Sequence, residues 1–148
     1  MWFLLRIIIG SIFIASGLGK LLSPYQNFLY VIQAYQLLPS NLEFLVAQIF
    51  PWIEFLTGLF VFLGLWTALS IRAASVLFGI FVVVVGQALI RNLPLENCGC
   101  FGEWIHLKPK TVIILDSISL WVTWAMLARF SAVKKFSLDS YFDPTLER

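Results

Sequence analysis

Long apolar runs broken by short polar stretches dominate the chain. Residues 3–22, 42–64, 70–90 and 111–130 are each apolar almost throughout. A helix crossing a bilayer needs about 20 such residues, so each run fits a spanning helix. The in–out alternation of a barrel strand is absent: Val82, Val83, Val84 and Val85 follow one another directly. The stretch 23–41 has a different period. Ser23-Pro24 reads as a helix start, a capping hydroxyl followed by proline at the first helical position. Tyr25, Phe28, Leu29, Val31, Ile32 and Tyr35 then form an apolar stripe at helical spacing. Gln26, Asn27, Gln33 and Gln36 take the other side, and Pro39 ends the run. This segment is too short and too polar to span, and it predicts a helix lying at the membrane surface. The pattern as a whole predicts an all-α, integral membrane four-helix bundle with a short interfacial helix between spans 1 and 2. The surface helix reads either as a lid packed on the bundle or as a docking or quinone-adjacent surface.

Composition sharpens this. Of 148 residues, 60% are hydrophobic and 12% charged, against about 25% charged in a soluble domain. Four spans nearly exhaust the apolar supply, so an ordinary soluble domain is excluded and a single four-span domain over 1–148 is expected. A net charge of +2 is too small and dispersed for nucleic-acid binding. Ala15-Ser16-Gly17 resembles a leader cleavage site, but the apolar run continues to Leu22, which favours a retained helix. Charge bias sets orientation. Arg6, Arg72, Arg129, Lys134, Lys135 and Arg148 share one side, against Lys20, Arg91, Lys108 and Lys110 on the other. The expectation is a multi-pass membrane protein with both termini cytoplasmic, its outer face being the periplasm in a bacterium. Residues 131–148 then form a short cytoplasmic tail whose Lys134-Lys135 meets anionic lipid. Segments 23–41 and 91–110 face the periplasm.

Ionisable side chains inside a bilayer are costly and are functional candidates by default. Glu54 falls near the middle of the second span, Asp116 in the outer half of the fourth, and Lys20 one turn below the outer end of the first. Depth therefore pairs Lys20 with Asp116 and leaves Glu54 without a partner at its level, unless Lys20 bends inward or Gln87 approaches. The pair reads as an ion pair fixing helix register, or as proton handling and quinone polarisation. Arg6 and Arg72 lie near the inner surface and are expected to snorkel. Pro51 falls inside the second span. Ser11, Ala15 and Gly19 on the first span, and Gly79 and Gly86 on the third, predict close helix approach.

Both cysteines of the chain lie in Glu96-Asn97-Cys98-Gly99-Cys100-Phe101-Gly102-Glu103, on the expected outer face. Thiols confined to an oxidising compartment point to disulfide chemistry. A loop with one intervening residue restricts little unfolded-chain entropy, which makes a poor staple. Strain makes such a ring easier to reduce and a better oxidant of another dithiol, and Gly99 gives the backbone the freedom it needs. A redox-active pair, a static local disulfide and a metal site using Cys98, Cys100, Glu103 and His106 all stay open. A zinc site normally brings two spaced ligand pairs, and only one is present, so no metal is assigned. His106 reads as a loop residue or as a proton partner of a thiolate.

These residues resemble the MauE branch of the DoxX-like membrane proteins. Gly17-Leu18-Gly19-Lys20-Leu21 with Pro24 and Phe28 is similar to the family's opening. Tyr35 and Leu38-Pro39 resemble the end of its surface segment, and Pro51-Trp52-Ile53-Glu54 with Gly58 and Gly64 its second-span motif. Cys98-Gly99-Cys100-Phe101-Gly102 points to the MauE branch itself. The resemblance implies a four-helix membrane protein with an extracytoplasmic redox pair at Cys98 and Cys100. In its methylamine-utilisation setting, such a protein supports maturation of a disulfide-rich periplasmic dehydrogenase subunit beside a thioredoxin-like partner.

The expectation is therefore an inner-membrane thiol–disulfide relay, an oxidoreductase in that sense. Its partners are a periplasmic thioredoxin-fold protein, a secreted disulfide-containing client and the lipid bilayer. A quinone is the candidate acceptor, and His106, Glu54 and Asp116 are proton-handling candidates. Electrons could also run outward. The rivals are a non-enzymatic membrane scaffold or chaperone, and an accessory subunit of a quinone-linked respiratory oxidoreductase. A transporter fits less well, for no pair of discontinuous helices is apparent.

Overall fold

The computed structural model describes residues 2–93 and 108–129. The described residues form helices α1 (Trp2–Leu22), α2 (Tyr25–Tyr35), α3 (Ser40–Leu63), α4 (Thr67–Ile90) and α5 (Pro109–Ala128). Helices α1, α3, α4 and α5 are each long and apolar enough to cross a membrane. They run alternately up and down, and α1–α3, α3–α4, α4–α5 and α5–α1 are all in contact, so the four close into a bundle. The short α2 packs mainly on α3. The protein is thus an all-helical membrane bundle with a short helix between its first two spans. Its outward surface is apolar, with Val76, Val83, Ile114, Trp121 and Trp124 exposed, as a helix facing lipid requires.

The tightest contact is between α1 and α3, and glycine makes it possible. A Cβ on Gly17 would lie 2.6 Å from the Phe55 backbone nitrogen, and one on Gly10 2.8 Å from Phe62. On the facing helix, a Cβ on Gly58 would lie 2.7 Å from the backbone nitrogen of Ile14. Gly10, Phe13, Gly17 and Lys20 recur every three or four residues, so they share one face. The expected stripe is therefore corrected. Ser11 and Ala15 are exposed, because both point to the side of α1 away from that face, while Gly19 is buried. Gly79 meets nothing within 4 Å, and Gly86 makes only an ordinary contact with Ile113, at 3.5 Å. Phe13, Val61, Ala74, Leu77 and Phe78 fill the centre, with Phe13 and Phe78 ring centroids 4.6 Å apart.

Two further expectations change. Ser23 does not cap α2. Its hydroxyl turns back and donates to the Gly19 carbonyl at 2.9 Å, satisfying the last turn of α1 instead. Arg6 does not snorkel: it is 1% exposed and lies 5.3 Å from the Phe3 ring centroid. Arg72 is exposed. The turn between α3 and α4 follows the usual helix-ending pattern. Gly64 is left-handed (φ 71°) and donates to the Phe60 carbonyl at 2.9 Å.

Candidate functional site: a buried charge cluster beneath the short helix

At the end of the bundle covered by α2, Lys20 of α1, Glu54 of α3 and Asp116 of α5 are buried ionisable side chains, and Glu43 is buried in the first turn of α3. The α1–α3 glycine contacts fix the register: Gly10 meets Phe62, Gly17 meets Phe55 and Ile14 meets Gly58. In that register Lys20 is level with Trp52, and Glu54 lies about half a turn deeper. One lysine stem bridges the gap. Lys20 Nζ donates to Glu54 Oε2 at 2.6 Å and Oε1 at 2.8 Å, and to Ser16 Oγ at 3.1 Å. Ser16 Oγ in turn donates to Glu54 Oε1 at 3.4 Å. Both charged side chains are fully buried.

The expected pairing of Lys20 with Asp116 is thereby corrected, and the exception allowed for Glu54, that Lys20 bends inward to it, is what the structure shows. Depth reasoning set both spans flush with one outer plane. In the structure α3 extends well beyond the end of α1, so a residue far along α3 meets one near the end of α1. The overhanging turns of α3 carry α2, with Tyr25 edge-on to Phe44 and Phe28 stacked on Phe50. Gln87 does not serve Glu54; its Nε2 donates to the Tyr35 carbonyl at 3.2 Å.

Asp116 is buried on α5, and its Oδ2 has no hydrogen-bond partner among the described residues. It is close enough to act electrostatically on Lys20, Glu54 and Tyr35. Burial, and then the neighbouring Asp116 carboxylate, push the Tyr35 phenol up to about 12, so Tyr35 keeps its proton at any physiological pH. The cluster thus sets two carboxyl groups against one ammonium, an arrangement suited to holding and passing a proton.

Beside the cluster lies a cavity of about 310 Å³. Lys20 forms part of its wall, with α2 (Phe28, Tyr35), α3 (Phe50) and α4 (Phe81, Val85) around it. The Lys20 ammonium faces three of these rings, with Phe28, Phe81 and Phe50 centroids at 5.0, 5.4 and 6.0 Å, within cation–π range. The sequence singled out Lys20, Glu54 and Asp116 but not Ser16 or this aromatic cage. Phe50 and Phe81 look like ordinary lipid-span residues and Phe28 like one more position of the α2 stripe, and only helix register brings them to one ammonium.

Cys98, Cys100 and His106, and with them Glu103, lie outside the described residues. The two ends of their segment are described. Arg91 Nη1 donates to the Gln36 carbonyl at 3.4 Å and to Gln87 Oε1 at 3.2 Å, which ties the end of α4 to the end of α2. Pro109 opens α5. The segment therefore leaves and re-enters the bundle at the end that holds the charge cluster.

Fold and site together define a multi-pass helical membrane protein with an ion pair buried under a surface helix. The chain belongs to the MauE family: the family described as methylamine utilisation protein MauE matches residues 1–131. No curated protein and no solved structure matches the chain.

Proposed function

We propose that this protein is a thiol–disulfide redox protein of the bacterial inner membrane. Its Cys98–Cys100 pair exchanges electrons with an extracytoplasmic thioredoxin-fold partner, in support of disulfide formation in a secreted client such as a methylamine dehydrogenase subunit. The observation that carries the reading is the Cys98-Gly99-Cys100 run. It holds the only two cysteines of the chain, inside a match to a methylamine-utilisation family. In the oxidising direction, a partner thiolate attacks one sulfur of the Cys98–Cys100 disulfide and forms a mixed disulfide. The partner's second thiolate then displaces that sulfur. The partner leaves oxidised, and Cys98 and Cys100 leave as thiols, having taken up two electrons and two protons. His106 is the candidate proton partner for these thiols, and Glu54 and Asp116 serve proton movement deeper in the membrane.

The test is equilibration of the purified protein against graded thiol buffers, followed by trapping with a mass-tagging alkylator. A reversible two-electron transition between about −120 and −250 mV is expected. A disulfide that resists reduction below about −300 mV would mark a structural clasp and overturn the relay. Cys98→Ser should insert normally and lose partner turnover; unchanged client oxidation in that variant would also overturn it.

A further inference from the structure

We infer that the cavity beneath α2 binds the ring of a membrane-soluble quinone. That this quinone accepts the electrons of the Cys98/Cys100 dithiol rests on the proposed relay; the binding itself does not.

Three observations select the ligand class. The first is size and shape. About 310 Å³ lies at the lower end of small-molecule pockets and suits a substituted ring with its tail outside. Part of the wall is aromatic, set among aliphatic side chains such as Val31, Ile32 and Val46: Phe28 and Phe50 stack at 23°, and Phe50 and Phe81 meet edge to face at 84°. A planar ligand finds offset and edge contacts here that an alkyl chain cannot use.

The second is polarity. The cavity surface is almost wholly apolar, and Lys20 and Tyr35 are the only lining residues that carry a polar side-chain group. An ammonium only donates hydrogen bonds, and quinone carbonyls only accept them. The longest of the Lys20 contacts is to the neutral Ser16 hydroxyl, at 3.1 Å. A ligand carbonyl can take that place, one neutral acceptor for another, while the Glu54 carboxylate stays bound.

The third is access. Ile80, Leu37 and Leu38 line the cavity and are also 42%, 44% and 36% exposed. The cavity therefore reaches the apolar outer surface, where a prenyl tail would lie in lipid.

With the relay in place the chemistry closes. The Cys98 and Cys100 S–H bonds break and one S–S bond forms. The two electrons reduce the quinone, and its two carbonyl oxygens gain the two protons to give the quinol. Glu54, bonded to Lys20, and Asp116 are the carboxyl groups of the adjoining cluster that can carry those protons. Asp116 has a buried oxygen with no hydrogen-bond partner among the described residues.

The test is photolabelling of the full chain in lipid nanodiscs with an azido-quinone, competed by decylubiquinone and mapped by peptide mass spectrometry. Label should concentrate on peptides containing Phe28, Phe50 and Phe81 and be competed away. Val84→Trp, which fills the cavity, should reduce it about tenfold or more, while Ile114→Trp on the exposed face of α5 should leave it unchanged. Lys20→Met with Glu54→Gln, which removes both charges together, should weaken competition about tenfold, the loss of one hydrogen bond from a charged donor. Label spread evenly over the lipid-facing helices, or indifferent to decylubiquinone or to Val84→Trp, would overturn the site. Cys98→Ser with Cys100→Ser should label like the parent. Competed cavity labelling without dithiol oxidation by decylubiquinone would uphold the site and overturn the quinone as acceptor of the dithiol's electrons.

Discussion

Lys20 and Glu54 are the residues on which the site turns. A buried pair of this kind adds little net stability over apolar residues of the same size, yet removing one partner strands a charge, which costs about 3–5 kcal/mol. Lys20→Met is expected to lower stability by that order, and Lys20→Met with Glu54→Gln to recover most of the loss. Reversible unfolding in mixed micelles measures both; a double variant no better than the single would mean that the charges do not act as a pair. The two residues were legible in the sequence because charges stand out in apolar spans. Their pairing was not. Hydropathy locates a span to within a few residues and says nothing of how far one helix is displaced along its neighbour. Asp116 was read correctly as an ionisable residue of the fourth span and wrongly as the partner of Lys20, for the same reason. Ser16 carried no signal, since a lone serine in a span is ordinary.

The displacement itself belongs to the elements. Helices α1 and α3 approach until backbone meets side chain at Gly10, Gly17 and Gly58, and that contact sets their register. Apolar runs revealed four spans, and a helical stripe revealed α2, because both are strong periodic signals. Which small residues make the contact was misread, since several phases of α1 carry Gly, Ala or Ser. Gly17→Leu must push the α3 backbone away and is expected to cost about 1–3 kcal/mol or more. Ala15→Leu, on the exposed side, should stay within about 0.5 kcal/mol. Gly17→Leu should also loosen the Lys20–Glu54 contact. Equal stability of the two variants in the same micelle assay would remove α1–α3 approach as the origin of the register.

At the scale of the whole molecule, orientation in the membrane decides whether the relay can work. The structure changes the charge comparison: Arg6 and Lys20 are buried and no longer count as loop charges, one lost from each side. Arg72, Arg129, Lys134, Lys135 and Arg148 then stand against Arg91, Lys108 and Lys110. The bias therefore still favours the proposed orientation, with the termini in the cytoplasm and the Cys98–Cys100 segment and the surface helix on the outer side. After mild reduction of intact spheroplasts, a membrane-impermeant maleimide should label Cys98 and Cys100. A cysteine introduced at Ser137 should label only once the membrane is opened. The reverse pattern would put the thiols in the reducing cytosol, where a disulfide relay to a secreted client has no oxidised partner to meet. Lys134→Gln with Lys135→Gln removes the strongest part of the inner charge and should yield a mixed population by the same assay. An unchanged pattern in that variant would assign orientation to some feature other than the positive residues of the tail.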